Sequence, residues 1–265
     1  VFGGHTGAEM AALQKAAYLG LKAGSPEVIA CLNVFALPNA TQLADLQQNQ
    51  AWPYFDTFNL HHYATFERYP GVYAAFRAVS AGRPLWVTEC SLPVWWSGDE
   101  KLKEPTEADL RIQAERVAKT FACSLHEGSA ATFYFLLPHY SEGQTQFGLV
   151  RPDLTPRPAF VALAAAGRWL AEARPLGRLN HTNSAIRAYL FQAKPDGQAR
   201  EVLVAWAEDG SPSLPLPAHT VIDHLGRPRP AEPELKLTAA PVFALLPPDG
   251  ARGLPRVAPP AAPAW

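Results

Sequence analysis

Glu89 closes the apolar run Pro84-Leu-Trp-Val-Thr88, which sets a carboxylate at the margin of a hydrophobic scaffold. A carboxylate so placed can serve as nucleophile or general base when hydrogen-bond donors stand beside it. Candidate donors end two other apolar runs. Asn59-Leu-His61-His62-Tyr63 completes one, and Leu137-Pro-His139-Tyr140 completes the other. With the two-residue period of a strand, Asn59, His61 and Tyr63 share a face, while His62 points the opposite way. Trp95 and Trp96 follow Glu89 closely. An indole can stack on the C–H face of a sugar ring or plug a loop against the core, and one of the pair is expected in each role. Each residue also has a plainer reading. Glu89 could be an exposed charge at a strand end, and His61 with Tyr63 a satisfied structural pair. Cys90, beside Glu89, is read as a packed thiol rather than a nucleophile.

The elements that must position these residues are legible as two textures, changing near residue 175. Residues 28–34, 55–61, 84–88 and 130–137 are apolar runs, expected as four parallel neighbours in that order, with helices between them. Glu9 to Ala23 has helical spacing and stops at Gly24-Ser25-Pro26. Thr106 is an N-cap with Asp109 three residues on, and Leu110, Ala114, Val117, Phe121 and Leu125 form one stripe that ends at Gly128. Pro158 to Leu170 is the last helix of this region. A helix followed by four strand–helix units is half of a (β/α)₈ barrel or part of an open doubly wound sheet. In either fold, functional residues gather beyond the C-terminal strand ends.

After about Ala185 the runs shorten. Ile186–Gln192, Glu201–Ala207, His219–Asp223 and Pro241–Leu246 read as strands, with turns at Asp196-Gly197, Asp209-Gly210 and Leu225-Gly226. The expected organisation is a barrel part over 1–175 and an antiparallel β domain over 176–247. A Pro- and Ala-rich tail over 248–265 is expected to be poorly ordered.

The chain has 265 residues, and its 23 Lys and Arg against 24 Asp and Glu give a net charge of −1. No basic run stands out, which argues against a nucleic-acid partner held through phosphates. No apolar stretch approaches the roughly 20 residues of a membrane helix. Cys31, Cys90 and Cys123 are odd in number and widely spaced, so neither a disulfide framework nor a zinc ribbon is suggested, and all three are expected to be buried thiols. The first residue is Val1 rather than Met, and a segment upstream is expected.

Asp56-x-x-Asn-x-His-x-Tyr63 followed by Pro84-Leu-Trp-Val-Thr-Glu89 resembles strands six and seven of the clan A glycoside hydrolases. The stretch from Gln146 to Phe160 resembles their passage from strand eight into helix eight. Val202-Leu-Val-Ala-Trp206 and Val221-Ile-Asp-His-Leu-Gly226 resemble the sandwich attached to β-xylosidase-like and arabinofuranosidase-like members. The resemblance covers roughly residues 9 to 246. It implies a partial (β/α)₈ TIM barrel, its last four strands, with a C-terminal antiparallel β-sandwich-like domain. It also implies a retaining glycosidase without a cofactor, in a secreted or periplasmic setting. Glu89 would be the nucleophile and Tyr63 its hydrogen-bond partner, with Asn59, His61, Trp95, Trp96, His139 and Tyr140 binding substrate.

The departure from that pattern is as informative as the match. The clan places its acid/base glutamate after strand four in an Asn-Glu pair, and no such pair occurs here. Val1 is therefore expected just past that position. A chain with one of the two carboxylates is expected to be inactive alone. A half barrel would also leave sheet edges open to self-association. Two other classes stay open. Asp56, His61, His62, Glu89 and His139 could form the metal site of a barrel hydrolase, although no His-x-His pair supports it. The aromatic residues could instead hold glycan without chemistry.

Overall fold

The computed structural model describes residues 6–36, 40–95, 104–216, 220–230, 232 and 234–262. In chain order the first elements are α1 (Gly7–Gly24), α2 (Ala40–Gln48), β1 (Phe58–His62), α3 (Tyr69–Arg77), β2 (Leu85–Cys90), β3 (Val94–Trp95), α4 (Glu107–His126) and β4 (Ser129–Tyr134). There follow β5 (Ser141–Glu142), β6 (Thr145–Gln146), α5 (Pro158–Trp169), β7 (Arg174–Leu179), β8 (Ile186–Ala193) and β9 (Arg200–Ala207). The last are β10 (Ser213–Pro215), β11 (Thr220–Asp223), β12 (Pro228–Arg229), β13 (Glu234–Lys236), β14 (Val242–Leu245) and β15 (Arg256–Val257). The fold is mixed α/β, and its described residues form two compact units. One comprises those within Val1–Cys90, Gly128–Phe133 and Ala261–Trp265, the other those within Ser91–Glu127 and Tyr134–Pro260.

The first unit is built on an open three-stranded sheet in the order β1-β2-β4, with β1 and β2 parallel. Phe58, Leu60, Leu85 and Val87 are fully buried. Phe58 meets Phe35, Phe55 and Phe76 at ring distances of 6.0, 6.3 and 6.0 Å, which fixes the apolar side of β1. α1 opens with a capping box in which Thr6 and Glu9 satisfy each other's backbone N–H groups.

The expected strand over 28–34 is not a regular strand. Only Cys31 and Phe35 bridge to β1's line, at Thr57 and Leu60. The reason lies in the hydrogen bonds. Leu32 N–H donates to the Thr57 carbonyl and Phe35 N–H to the Asn59 carbonyl, so three residues on one side span two on the other. On either side of Leu32, side chains take over: Ala30 N–H donates to Asp56 Oδ2 and Asn33 N–H to Gln14 Oε1. Gln14 is itself buried in α1 and donates to the Tyr54 carbonyl at 2.8 Å. The sheet therefore has three regular strands, not four. The last ends at Tyr134 rather than Leu137.

The second unit holds an antiparallel seven-stranded sheet in the order β12-β11-β14-β9-β8-β7-β15, and a β10-β13 ribbon. The β8–β9 hairpin turns at Asp196 and Gly197, both with positive φ, as the Asp-Gly signal requires. Alternate residues of β8 face two different layers. Ala188 and Leu190 join a core with Leu214 and Leu235 of the ribbon. Tyr189, between them, faces α4, where its ring meets His126 at 5.1 Å and its hydroxyl meets Cys123 Sγ at 3.6 Å. Burial pushes the Cys123 thiol up to about 12. Thr106 caps α4 by accepting from Asp109 N–H. The α4 stripe is buried at Leu110, Ala114 and Val117, but Phe121 and Leu125 are only half-buried.

One further expectation is corrected. Cys31 is half-buried, whereas Cys90 and Cys123 are buried. The Pro- and Ala-rich tail contributes one short strand, β15. Arg256 and Val257 pair with Leu179 and Arg178 of β7, and Ala251 is buried with Leu254 packed on the core. Proline removes donors, yet the β15 N–H groups lie at Arg256 and Val257, so an edge pairing survives.

Candidate active site

The polar rim of the first unit is set by a register shift. Leu60 pairs with Val87, but His61 pairs with Glu89, so Thr88 is an extra residue opposite one step of β1. Such a bulge breaks the alternation of side chains and turns two consecutive residues toward one side. Thr88 and Glu89 are accordingly both half-buried, between buried Val87 and buried Cys90. Both meet the face of β1 that carries Asn59 and His61.

The contacts form a chain. The Tyr63 hydroxyl donates to Glu89 Oε1. His61 Nδ1 stands 3.2 Å from Glu89 Oε2, and its Nε2 stands 3.0 Å from Thr88 Oγ1. Thr88 Oγ1 in turn meets Asn59 Oδ1. Each oxygen of Glu89 therefore has a neighbour able to donate to it, an arrangement that favours the ionised carboxylate. The side chain retains 23% of its exposure, enough for a reactant to reach it. A cavity of about 740 Å³ is lined by His61, His62, Tyr63, Glu67, Arg68 and Val72.

His62 is turned away, as the strand period requires. Its Nε2 meets the Tyr73 hydroxyl at 3.0 Å and its ring packs edge-on against Tyr69 at 4.7 Å. Burial lowers its pKa to about 4. Asp56 is also occupied elsewhere, held 2.8 Å from Lys22 Nζ. The five residues considered as metal ligands thus do not form one set. Among the described residues no group of three or more His, Cys, Asp or Glu gathers as a metal site. Cys90 is fully buried, and burial raises its thiol pKa strongly, with the Glu89 charge adding to the effect.

The remaining predicted residues belong to the second unit. Trp95 is 67% exposed in a small sheet of order β3-β6-β5, and Trp96 lies outside the described residues. The Tyr140 hydroxyl donates to Glu142 Oε1, and its ring packs on Phe135 and Phe147. His139 Nδ1 lies 3.3 Å from Arg157 Nη2, a donor, so this ring nitrogen accepts. Arg157 is buried to 1% exposure. It bonds Glu104 through Nε and Nη2 and donates from Nη1 to the Gly148 carbonyl at 2.8 Å. Gly148 must be glycine, since a Cβ there would lie 2.5 Å from the Pro138 carbonyl oxygen.

Thr88 was not among the residues singled out from sequence. A strict two-residue period sets it opposite Glu89, and nothing in Pro84–Cys90 announces the bulge. Its hydroxyl beside the carboxylate was the only available signal.

No protein-family model and no curated protein matches the sequence. Solved structures do. A family 39 glycoside hydrolase from Bacteroides cellulosilyticus WH2 superposes with a TM-score of 0.64 at 16% identity, over 90% of this chain and 55% of its own. A family 39 β-xylosidase from Caulobacter crescentus gives 0.56 at 16%, over 89% and 61%. An α-L-arabinofuranosidase from Thermotoga maritima, in complex with arabinose, gives 0.57 at 12%, over 91% and 62%. The mixed α/β fold of this chain is similar to that of these glycoside hydrolases. This chain spans 55% to 62% of the length of those three proteins.

Proposed function

We propose that this chain carries the nucleophile half of a retaining glycosidase acting on a β-linked glycoside or an arabinofuranoside. The observation that carries the reading is the Glu89 carboxylate flanked by Tyr63 and His61 at the strand ends of an open α/β sheet. Glu89 would attack the anomeric carbon through an ionised oxygen while the glycosidic C–O bond breaks. Tyr63 and His61 would hold that oxygen pair in line. Asn59 would contact sugar beside them. No cofactor is needed.

A retaining mechanism needs a second carboxyl group about 5 Å away to protonate the leaving oxygen and later deprotonate water. On this reading it comes from barrel strands that precede the present ones. Residues 1–175 would then be the last part of a (β/α)₈ barrel, 176–247 a sandwich-like β domain and 248–265 a Pro- and Ala-rich tail. The open edges of the three-stranded sheet would favour self-association when those strands are lacking.

A 2-fluoro glycoside bearing a dinitrophenolate group needs no acid to lose that group, so it isolates the nucleophile. In a chain completed upstream, Glu89 is expected to become covalently labelled, one sugar per protein by mass. The Glu89→Gln variant should not label, because an amide is a very weak nucleophile. A sugar found on Glu67 or Glu142 instead would overturn the assignment.

A further inference from the structure

The cavity lined by His61 and Tyr63 lies wholly within the first unit, and its lining divides by chemistry. His61 and Tyr63 are the two side chains that contact Glu89. Ala64 and the α3 residues Gly71, Val72 and Phe76 supply an apolar remainder. Val72 and Phe76 stand four residues apart and so share a face of α3. Phe76 is buried and its ring meets Phe58, which ties this lining to the aromatic core of β1. The volume, about 740 Å³, falls within the roughly 300–1,000 Å³ usual for small-molecule sites.

Gly71 has no backbone reason to be glycine. Its φ is not positive, and a Cβ there would meet no atom within 4 Å. Glycine lowers helix stability relative to alanine, so residue 71 costs stability and leaves space unfilled.

The polar lining is largely engaged already. His61 and Tyr63 are held to Glu89, His62 Nε2 meets the Tyr73 hydroxyl, and the Thr65 hydroxyl donates to Glu67 Oε1. Glu67 and Arg68 are exposed, so the charged lining stays hydrated. A second sugar ring would set hydroxyls against Ala64, Val72 and Phe76, and polar groups left unpaired on burial are costly. A hydrocarbon chain has no such cost, and each methylene buried is worth about fourfold in affinity.

We propose that this cavity is an aglycone site for an apolar group, so that the glycoside attacked by Glu89 carries an alkyl or aryl substituent seated against Val72 and Phe76. The word aglycone rests on the glycosidase reading above. The preference for hydrocarbon stands on the lining alone.

Amide NMR titration of the chain as it stands tests this with methyl and n-hexyl β-D-xyloside as probes. The hexyl compound should shift the Gly71 and Val72 amides and bind at least tenfold more tightly than the methyl compound. Gly71→Leu fills the open space without a clash and should weaken hexyl binding at least tenfold, with methyl binding unchanged. Equal affinities for the two probes, or hexyl binding unaffected by Gly71→Leu, would overturn the proposal. So would shifts of these amides that grow with protein concentration alone, because a second copy would then fill the cavity. The titration needs no turnover, so it separates from the labelling test. Failure of Glu89 to label would strike the glycosidase reading and leave the hydrocarbon preference intact, whereas equal probe affinities would strike the cavity assignment and leave labelling untouched.

Discussion

The two units bury their sheets in opposite styles. In the first, one face of β1 and β2 is packed with aromatic rings while the other carries Asn59, His61, Thr88 and Glu89, all half-buried. In the second, β8 and β9 are covered on both faces, by the β10–β13 ribbon and by α4, and six consecutive residues of β9 are buried. A two-sided sheet gains apolar burial at every position but leaves no place for reactive polar groups. The one-sided sheet forgoes that gain along one face and holds a hydrogen-bonded carboxylate there. Two-sided apolar burial and the polar cluster are thus carried by different sheets.

The contrast is tested most severely in the β9 core. Trp206 is fully buried, stacked 5.4 Å from Tyr189, with its indole N–H donating to Glu208. Trp206→Ala should cost about 3–5 kcal/mol of unfolding free energy, as for other large-to-small core changes. Denaturant melts would show it. A loss under about 1 kcal/mol would mean that the two-sided packing contributes far less than its burial indicates.

A pH effect of intermediate size should appear in both units. His62 in the first and His126 in the second are each lowered to about 4 from 6.5, chiefly by burial. The unfolded chain therefore binds more protons than the folded one between those values. Stability is full above about pH 6.5 and falls as the pH drops toward 4, after which this contribution is exhausted. Each site is worth on the order of 3 kcal/mol over that window. His62→Phe should flatten the acid limb by roughly its own share, read from denaturation midpoints at pH 7 and pH 4.5. An acid limb unchanged by the variant would place the sensitivity elsewhere.

How far the sequence revealed these two styles depended on which residues supplied the hydrogen bonds. The Asp196-Gly197 turn and the caps at Thr6 and Thr106 are local rules, and the structure follows them. The face shared by Asn59 and His61 followed from strand period alone. Residues 28–34 misled because apolar continuity signals burial, not ladder pairing, and Asp56 and Gln14 divert two backbone N–H groups from the ladder. Continuity in Glu201–Ala207 had the converse meaning, an antiparallel strand covered twice. The Thr88 bulge and the β7–β15 pairing depend on partners distant in sequence, and no local pattern encodes them.

The smallest stability effect should come from the residue closest to the proposed chemistry. Tyr63 is 39% exposed, and its hydroxyl donates to Glu89 on the open face. Tyr63→Phe removes one hydrogen bond that solvent can replace, so the unfolding free energy should change by less than about 0.5 kcal/mol. Its effect on reactivity should be far larger. Without that donor the carboxylate loses alignment as well as a partner that stabilises its charge, and a positioned group of this kind is worth about 10²-fold or more in rate. Labelling of Glu89 by the 2-fluoro glycoside, followed by mass in the upstream-completed chain, should slow by about that factor while still reaching one sugar per protein. Trp206→Ala should give the reverse pairing, a large loss of stability with an unchanged labelling rate in the folded fraction. If Tyr63→Phe instead destabilised the chain by about 2 kcal/mol and labelled at the wild-type rate, the hydroxyl would belong to the scaffold. The division between a stabilising sheet and a reactive one would then fail at the residue where it is drawn most sharply.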